Sequence, residues 1–133
     1  MTEQMRYGMS RTVELPHAEA LQRTREALQT QGFGVLCEID IQQKLHERLG
    51  VDFRPYVILG ACNPPLAHKA LETDLEIGLL LPCNVIVYAD GASRSVVAAI
   101  DPDMMMSVAG SDPGLLAVAA DARLRLEKAL AAL

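Results

Sequence analysis

The chain has no tryptophan and, with three tyrosines and two phenylalanines among 133 residues, few aromatics of any kind. Its core must therefore be built from aliphatic side chains. Basic residues are scarce too: twelve Lys and Arg stand against seventeen Asp and Glu, a net charge of −5. Non-specific affinity for nucleic acid comes largely from Lys and Arg displacing phosphate counterions, so no nucleic-acid partner is expected. No apolar run approaches the roughly 20 residues that a membrane span needs. The start, Met1-Thr2-Glu3-Gln4-Met5-Arg6, lacks the apolar stretch of a secretory signal. The expectation is a cytoplasmic protein with no membrane contact. Cysteines number three, at wide spacing and without a Cys-x-x-Cys pair, which excludes a disulfide framework and a finger-type zinc site. Gly-x-Gly-x-x-Gly, phosphate-loop, Gly-x-Ser-x-Gly and His-Glu-x-x-His patterns are missing as well. No standard catalytic signature remains, the reading leans away from an enzyme, and no cofactor is assigned.

What is present describes one domain, residues 1–133, half apolar and about a fifth charged. Alternation from Arg6 to Val13 predicts a strand, with Tyr7, Met9 and Val13 on one side and Arg11 breaking that side. Pro16 opens a helix with a stripe of Ala20, Leu21, Thr24, Ala27 and Leu28, closed at Gly32. Phe33, Val35, Cys37 and Ile39 repeat with period two, which predicts a second strand with Cys37 in the core. Asp40 is placed to cap a helix from Ile41 to Leu49. Tyr56 to Ala61 is apolar almost throughout and reads as a central strand covered on both faces. Asn63-Pro64 starts a short helix, Leu75 to Leu81 reads as a packed segment at a subunit contact, and Asn84 to Ala89 and Arg94 to Ile100 form a hairpin about Asp90-Gly91. Asp101-Pro102 and Asp112-Pro113 each launch a further helix. In the last, Leu115, Ala119, Ala122, Leu126, Ala129, Leu130 and Leu133 trace one apolar stripe. The fold class is α+β: a mainly antiparallel curved sheet of about five strands, two long helices on one face, order β-α-β-β-β-β-α with short inserted helices. The opposite face, including part of the last two strands, then needs cover, and a two-fold homodimer supplies it.

Chemistry concentrates between Tyr56 and Asp90. Two Cys-Asn pairs, Cys62-Asn63 and Cys83-Asn84, each touch a proline at a strand end. Cys62 lies just before a helix N-terminus, where unpaired N–H groups and the helix dipole favour a thiolate; equally, it reads as a small buried hydrophobe ending a strand. If the strands that Cys62 ends and Cys83 starts are antiparallel neighbours, the two thiols meet. They could then form a redox disulfide, carry a persulfide, or hold a soft metal with His68, one turn into the following helix. His17 and His46 read as solvent-facing. Met104, Met105 and Met106 are consecutive, so a helix aims them in three directions, and a packing surface fits better than a metal site.

Laid out in this way, Tyr56-Val57-Ile58-Leu59-Gly60-Ala61-Cys62-Asn63-Pro64-Pro65-Leu66-Ala67, Leu79-Leu80-Leu81-Pro82-Cys83-Asn84-Val85 and Val97-Ala98-Ala99-Ile100-Asp101-Pro102 with Met104 resemble the family called domain of unknown function 302. The resemblance implies a TATA-binding-protein-like arrangement, strand-helix-four strands-helix, in a small bacterial or archaeal protein that is commonly dimeric. The fold's name does not imply DNA binding, which the acidic charge opposes. Some relatives are similar in gene context to sulfur-oxidation proteins, which implies a persulfide role for Cys62 or Cys83. The expectation is a dimeric domain that holds a small ligand (a sulfur atom, a soft metal or an electrophile) through Cys62, Asn63, Cys83, Asn84 and His68. The alternative is a non-catalytic interaction domain with packed cysteines and a partner surface at Leu75 to Leu81.

Overall fold

The computed structural model describes residues 2–133. Strand β1 (Glu3–Gln4) precedes β2 (Gly8–Val13), helix α1 (His17–Thr30), β3 (Gly34–Asp40), α2 (Ile41–Leu49), β4 (Tyr56–Cys62) and α3 (Pro64–Thr73). A 3₁₀ turn (Leu75–Leu80) then leads to β5 (Cys83–Ala89), β6 (Ser95–Ile100), α4 (Pro102–Ala109) and α5 (Pro113–Ala131). The strands form one open antiparallel sheet of six in the order β1-β2-β6-β5-β4-β3. The α+β class and the order of the longer elements agree with the sequence reading. The sixth strand, β1, is two residues at the edge, too short to show a period.

Both long helices lie on one face. Met9, Val57, Leu59, Val85, Val87 and Val97 rise from the strands to meet Ala20, Leu28, Leu126 and Leu130 of α1 and α5 in one buried cluster. The stripe assigned to α5 is buried from Leu115 to Leu130, with Leu133 packed at its margin. Arg11, which interrupts the apolar side of β2, donates from Nη1 to the carbonyls of Leu130 and Ala131 at 2.9 and 2.7 Å. A cation on the last carbonyls of α5 satisfies groups that no turn of helix follows and opposes the helix dipole. Gly8 is required by contact, since a Cβ there would lie 2.5 Å from the carbonyl oxygen of Ala99.

Helix starts follow one grammar. Asn63, Asp101 and Asp112 each precede a proline, adopt extended backbone and accept a hydrogen bond from an N–H of the first turn. Asp40 caps α2 through Gln43 N–H at 3.0 Å, and Gly50, in the left-handed region, ends it.

Four expectations are corrected. Cys37 is exposed rather than in the core. Strand β3 is the sheet edge, α2 buries none of its residues, and a bulge between Val35 and Cys37 resets the alternation. Cys37 therefore pairs with Gly60 on the face away from the long helices. Tyr7 precedes β2 and is exposed. Strand β4 is second from the edge and covered on one face only: Val57, Leu59 and Ala61 are buried, whereas Tyr56 and Ile58 are half-buried on the other side. In the segment before β5, Ile77 is buried while Leu75 and Leu79 are 85 and 87 % exposed, so only part of it packs. No helix among the described residues is long and apolar enough to cross a membrane.

Candidate functional site

Strand β4 ends at Cys62, and the chain turns at once into α3. Asn63 makes that turn: its side-chain oxygen accepts from Leu66 N–H at 3.4 Å, and its amide nitrogen donates to the Gln31 carbonyl, also at 3.4 Å. Arg125 of α5 donates to the same carbonyl, so one oxygen at the end of α1 anchors both α3 and α5. Strands β4 and β5 are antiparallel neighbours with Ala61 opposite Cys83. That places Cys62 one residue beyond Cys83's direct partner, as the sequence reading required for the two to meet.

Cys62 and Cys83 both border one cavity of about 310 Å³, Cys62 at the point where the chain leaves β4 for α3. Ala67 and Ala70 of α3, and Ala119 and Ala122 of α5, contribute the opposite walls; Met105 and Met106 of α4 close one end, and Pro82, joined to Leu81 by a cis peptide, lies beside Cys83. The space exists because the residues where α3 passes α5 are alanines. Larger side chains at the same spacing would interdigitate and fill it. Met105 and Met106, which the sequence reading treats as packing, are functional candidates because they line the same cavity as Cys62 and Cys83.

The electrostatics run against the expected thiolate. Burial pushes the Cys62 thiol up from its ordinary range. Cys83 is pushed up to about 11, first by burial and then by the charge that Cys62 would carry. The Leu66 N–H, part of the helix terminus that would stabilise an anion, is already taken by Asn63, while apolar walls remove water. Desolvation disfavours the charged form, so both groups are neutral thiols near pH 7.

The remaining expected residues lie elsewhere. Asn84 points to the opposite face by the alternation of β5 and is exposed, bordering a surface groove with Pro82, Ile100 and Met105. His68 is exposed and places Nε2 2.7 Å from the carboxylate of Glu72 one turn on, an i, i+4 surface pair away from the cavity wall. His46 is exposed as expected. His17 is not fully solvent-facing: it is half-buried, with Nε2 3.0 Å from the Val87 carbonyl. Among the described residues, no group of three or more His, Cys, Asp and Glu is placed to hold a metal ion.

A family model described as "Domain of unknown function DUF302" matches residues 9–133. A crystal structure of an uncharacterized conserved DUF302 protein from Bacillus stearothermophilus is similar over its length: TM-score 0.86, 34% sequence identity, 96% of this chain and 98% of that chain covered. No curated protein matches the chain.

Proposed function

We propose, from the premise that the chain belongs to the DUF302 family, that it is a cytoplasmic binding domain whose small ligand sits in the cavity against Cys62 and Cys83. The observation that carries this reading is that two cysteines from separate strands line one concave, apolar space of about 310 Å³. Concave, mainly apolar sites with few polar groups are where small molecules bind. Of the ligand types expected from the sequence, a soft metal needs both thiols deprotonated in an apolar setting. A sulfur atom or a small electrophile needs only the one thiol that attacks it to give up its proton as the bond forms.

Native mass spectrometry of protein purified without oxygen reads the site directly. The expected spectrum carries an added mass on the wild type that maps to Cys62 or Cys83 and is lost when the cysteine that carries it is replaced by Ser, with circular dichroism unchanged. An added mass that persists when both Cys62 and Cys83 are replaced by Ser would count against the cysteine-based site.

The domain acts as a homodimer whose copies meet on the sheet face away from the long helices. Ile58 and Ile86 oppose each other there, Ala98 pairs with Ile86, and Tyr56 stacks on Tyr88 at 5.6 Å. These residues are themselves uncharged and the charge beside them is a cation, Arg54, whose guanidinium lies 5.9 Å from the Tyr88 ring centre; for a chain of net charge −5, two copies can approach there without placing carboxylates of this patch opposite each other. Ile86→Lys would set two lysines against each other across a two-fold axis. Light scattering is expected to give twice the 14.4 kDa chain mass for the wild type and the single mass for this variant. A monomeric wild type at micromolar concentration would end the dimer proposal.

A further inference from the structure

The chemistry of the cavity narrows the class of ligand, an inference that rests on the binding reading above. Its room comes from two matched pairs of small residues, Ala67 with Ala70 on α3 and Ala119 with Ala122 on α5, each three apart and so on one helix face. The volume of about 310 Å³ is roughly twice that of a ~150 Å³ apolar cavity that takes up benzene. By that measure a molecule of roughly ten to twelve non-hydrogen atoms fits.

Among the described residues bordering the space there is no Lys, Arg, Asp, Glu or His. Its one amide side chain, Asn63, already engages Leu66 N–H and the Gln31 carbonyl. Cys83, a free thiol only 8 % exposed, is held neutral by the same burial. An ion placed there would give up its hydration and meet no counter-charge. A metal would first have to displace protons from two thiols that resist ionising. We propose that the occupant is a neutral, mainly hydrocarbon molecule of about the size of naphthalene, and that the four alanines set the upper limit on its size.

The experiment titrates the full chain with naphthalene, read by ligand fluorescence and calorimetry, beside Ala122→Leu. Parallel samples exposed to inorganic polysulfide and to Cu(I) are read by native mass spectrometry. The expected result is saturable binding of one naphthalene per chain, unchanged within about twofold between about pH 6 and 8 because neither wall nor ligand titrates there. Ala122→Leu fills part of the space and is expected to weaken binding at least about tenfold. If that variant does not fold, Ala67→Leu, half-buried on the facing wall, is read in its place. Naphthalene binding that neither substitution weakens overturns the proposal by placing the ligand elsewhere. Polysulfide sulfur or Cu(I) retained on Cys62 or Cys83 without naphthalene uptake overturns the neutral class and keeps the cavity as a binding site. If none of the three binds, the neutral-ligand proposal falls, and the cysteine-based reading is decided separately by the added mass in the native spectrum.

Discussion

Replacing Leu126 with Ala is expected to destabilise the chain by about 3–4 kcal/mol, within the range for fully buried leucines. Leu126 is 0 % exposed, near the C-terminal end of the α5 stripe, and packs on Val85 and Ala99 of the sheet as well as Leu28 of α1. It touches both partners of its helix at once, so truncation removes contacts that hold α5 to both the sheet and α1. The surroundings cannot collapse to fill the gap, because the sheet below is hydrogen-bonded on both sides and α1 is fixed at its own end. A domain of this size has a total stability on the order of 5–15 kcal/mol, so the loss is a large fraction of it. Urea unfolding should show the midpoint falling at constant m. Leu124→Ala is the control: Leu124 sits two residues away but is 51 % exposed, and its truncation should change stability by less than about 0.5 kcal/mol. Equal losses from the two variants would show that α5 is not docked through the stripe described.

The contrast between Leu126 and Leu124 was legible because a helix buries one stripe of its surface, and a nineteen-residue helix repeats that stripe often enough to read. The helix starts were legible for a different reason. An Asp or Asn before Pro is a local signal: the side chain meets an N–H two or three residues on, and no distant partner is needed. Strand faces were less secure. Alternation says that Cys37 and Ile39 share a face, but not which face receives the helices, and one bulge at the sheet edge shifts the count. The hydrogen bond of His17 to Val87 links residues seventy apart, which no local pattern reports.

The candidate site divides along the same line. That Cys62 and Cys83 come together follows from two strand ends and one antiparallel pairing, all readable. Asn84 and His68 were grouped with them by nearness in sequence, yet alternation turns Asn84 to the other face and helical geometry leaves His68 outside with Glu72. The cavity itself left almost no trace. Ala119 and Ala122 read as ordinary members of an apolar stripe, and only their placement opposite Ala67 and Ala70 turns a packed seam into open space. The upward shift of the thiols is likewise a property of the assembled walls, since a solvated cysteine just before a helix N-terminus would be shifted the other way.

That upward shift gives the second large effect, a loss of stability at high pH that belongs to Cys83. Its folded-state value is raised from 9.0 to about 11 by burial and by Cys62. Below the unfolded value both states hold the proton, and the thiol's full contribution is present. As pH rises above it, the unfolded chain sheds the proton while the folded chain keeps it, so unfolding is favoured increasingly until the folded thiol also ionises near 11. At 1.36 kcal/mol per pH unit, the interval corresponds to about 2–3 kcal/mol lost across that window. Tyr56, also raised by burial, acts in the same direction, so the measurement must be a difference. Cys83→Ala keeps Tyr56 and removes only the buried thiol. Near pH 8 the variant should be the less stable by about 1 kcal/mol, the cost of a lost sulfur contact in a packed wall. By about pH 11 the order should have reversed, the gap having moved by about 2–3 kcal/mol in the variant's favour. A gap that stays constant across the window would mean that Cys83 titrates as a thiol in water does. The cavity wall would then be wet, and the case for a neutral apolar occupant would lose its electrostatic support.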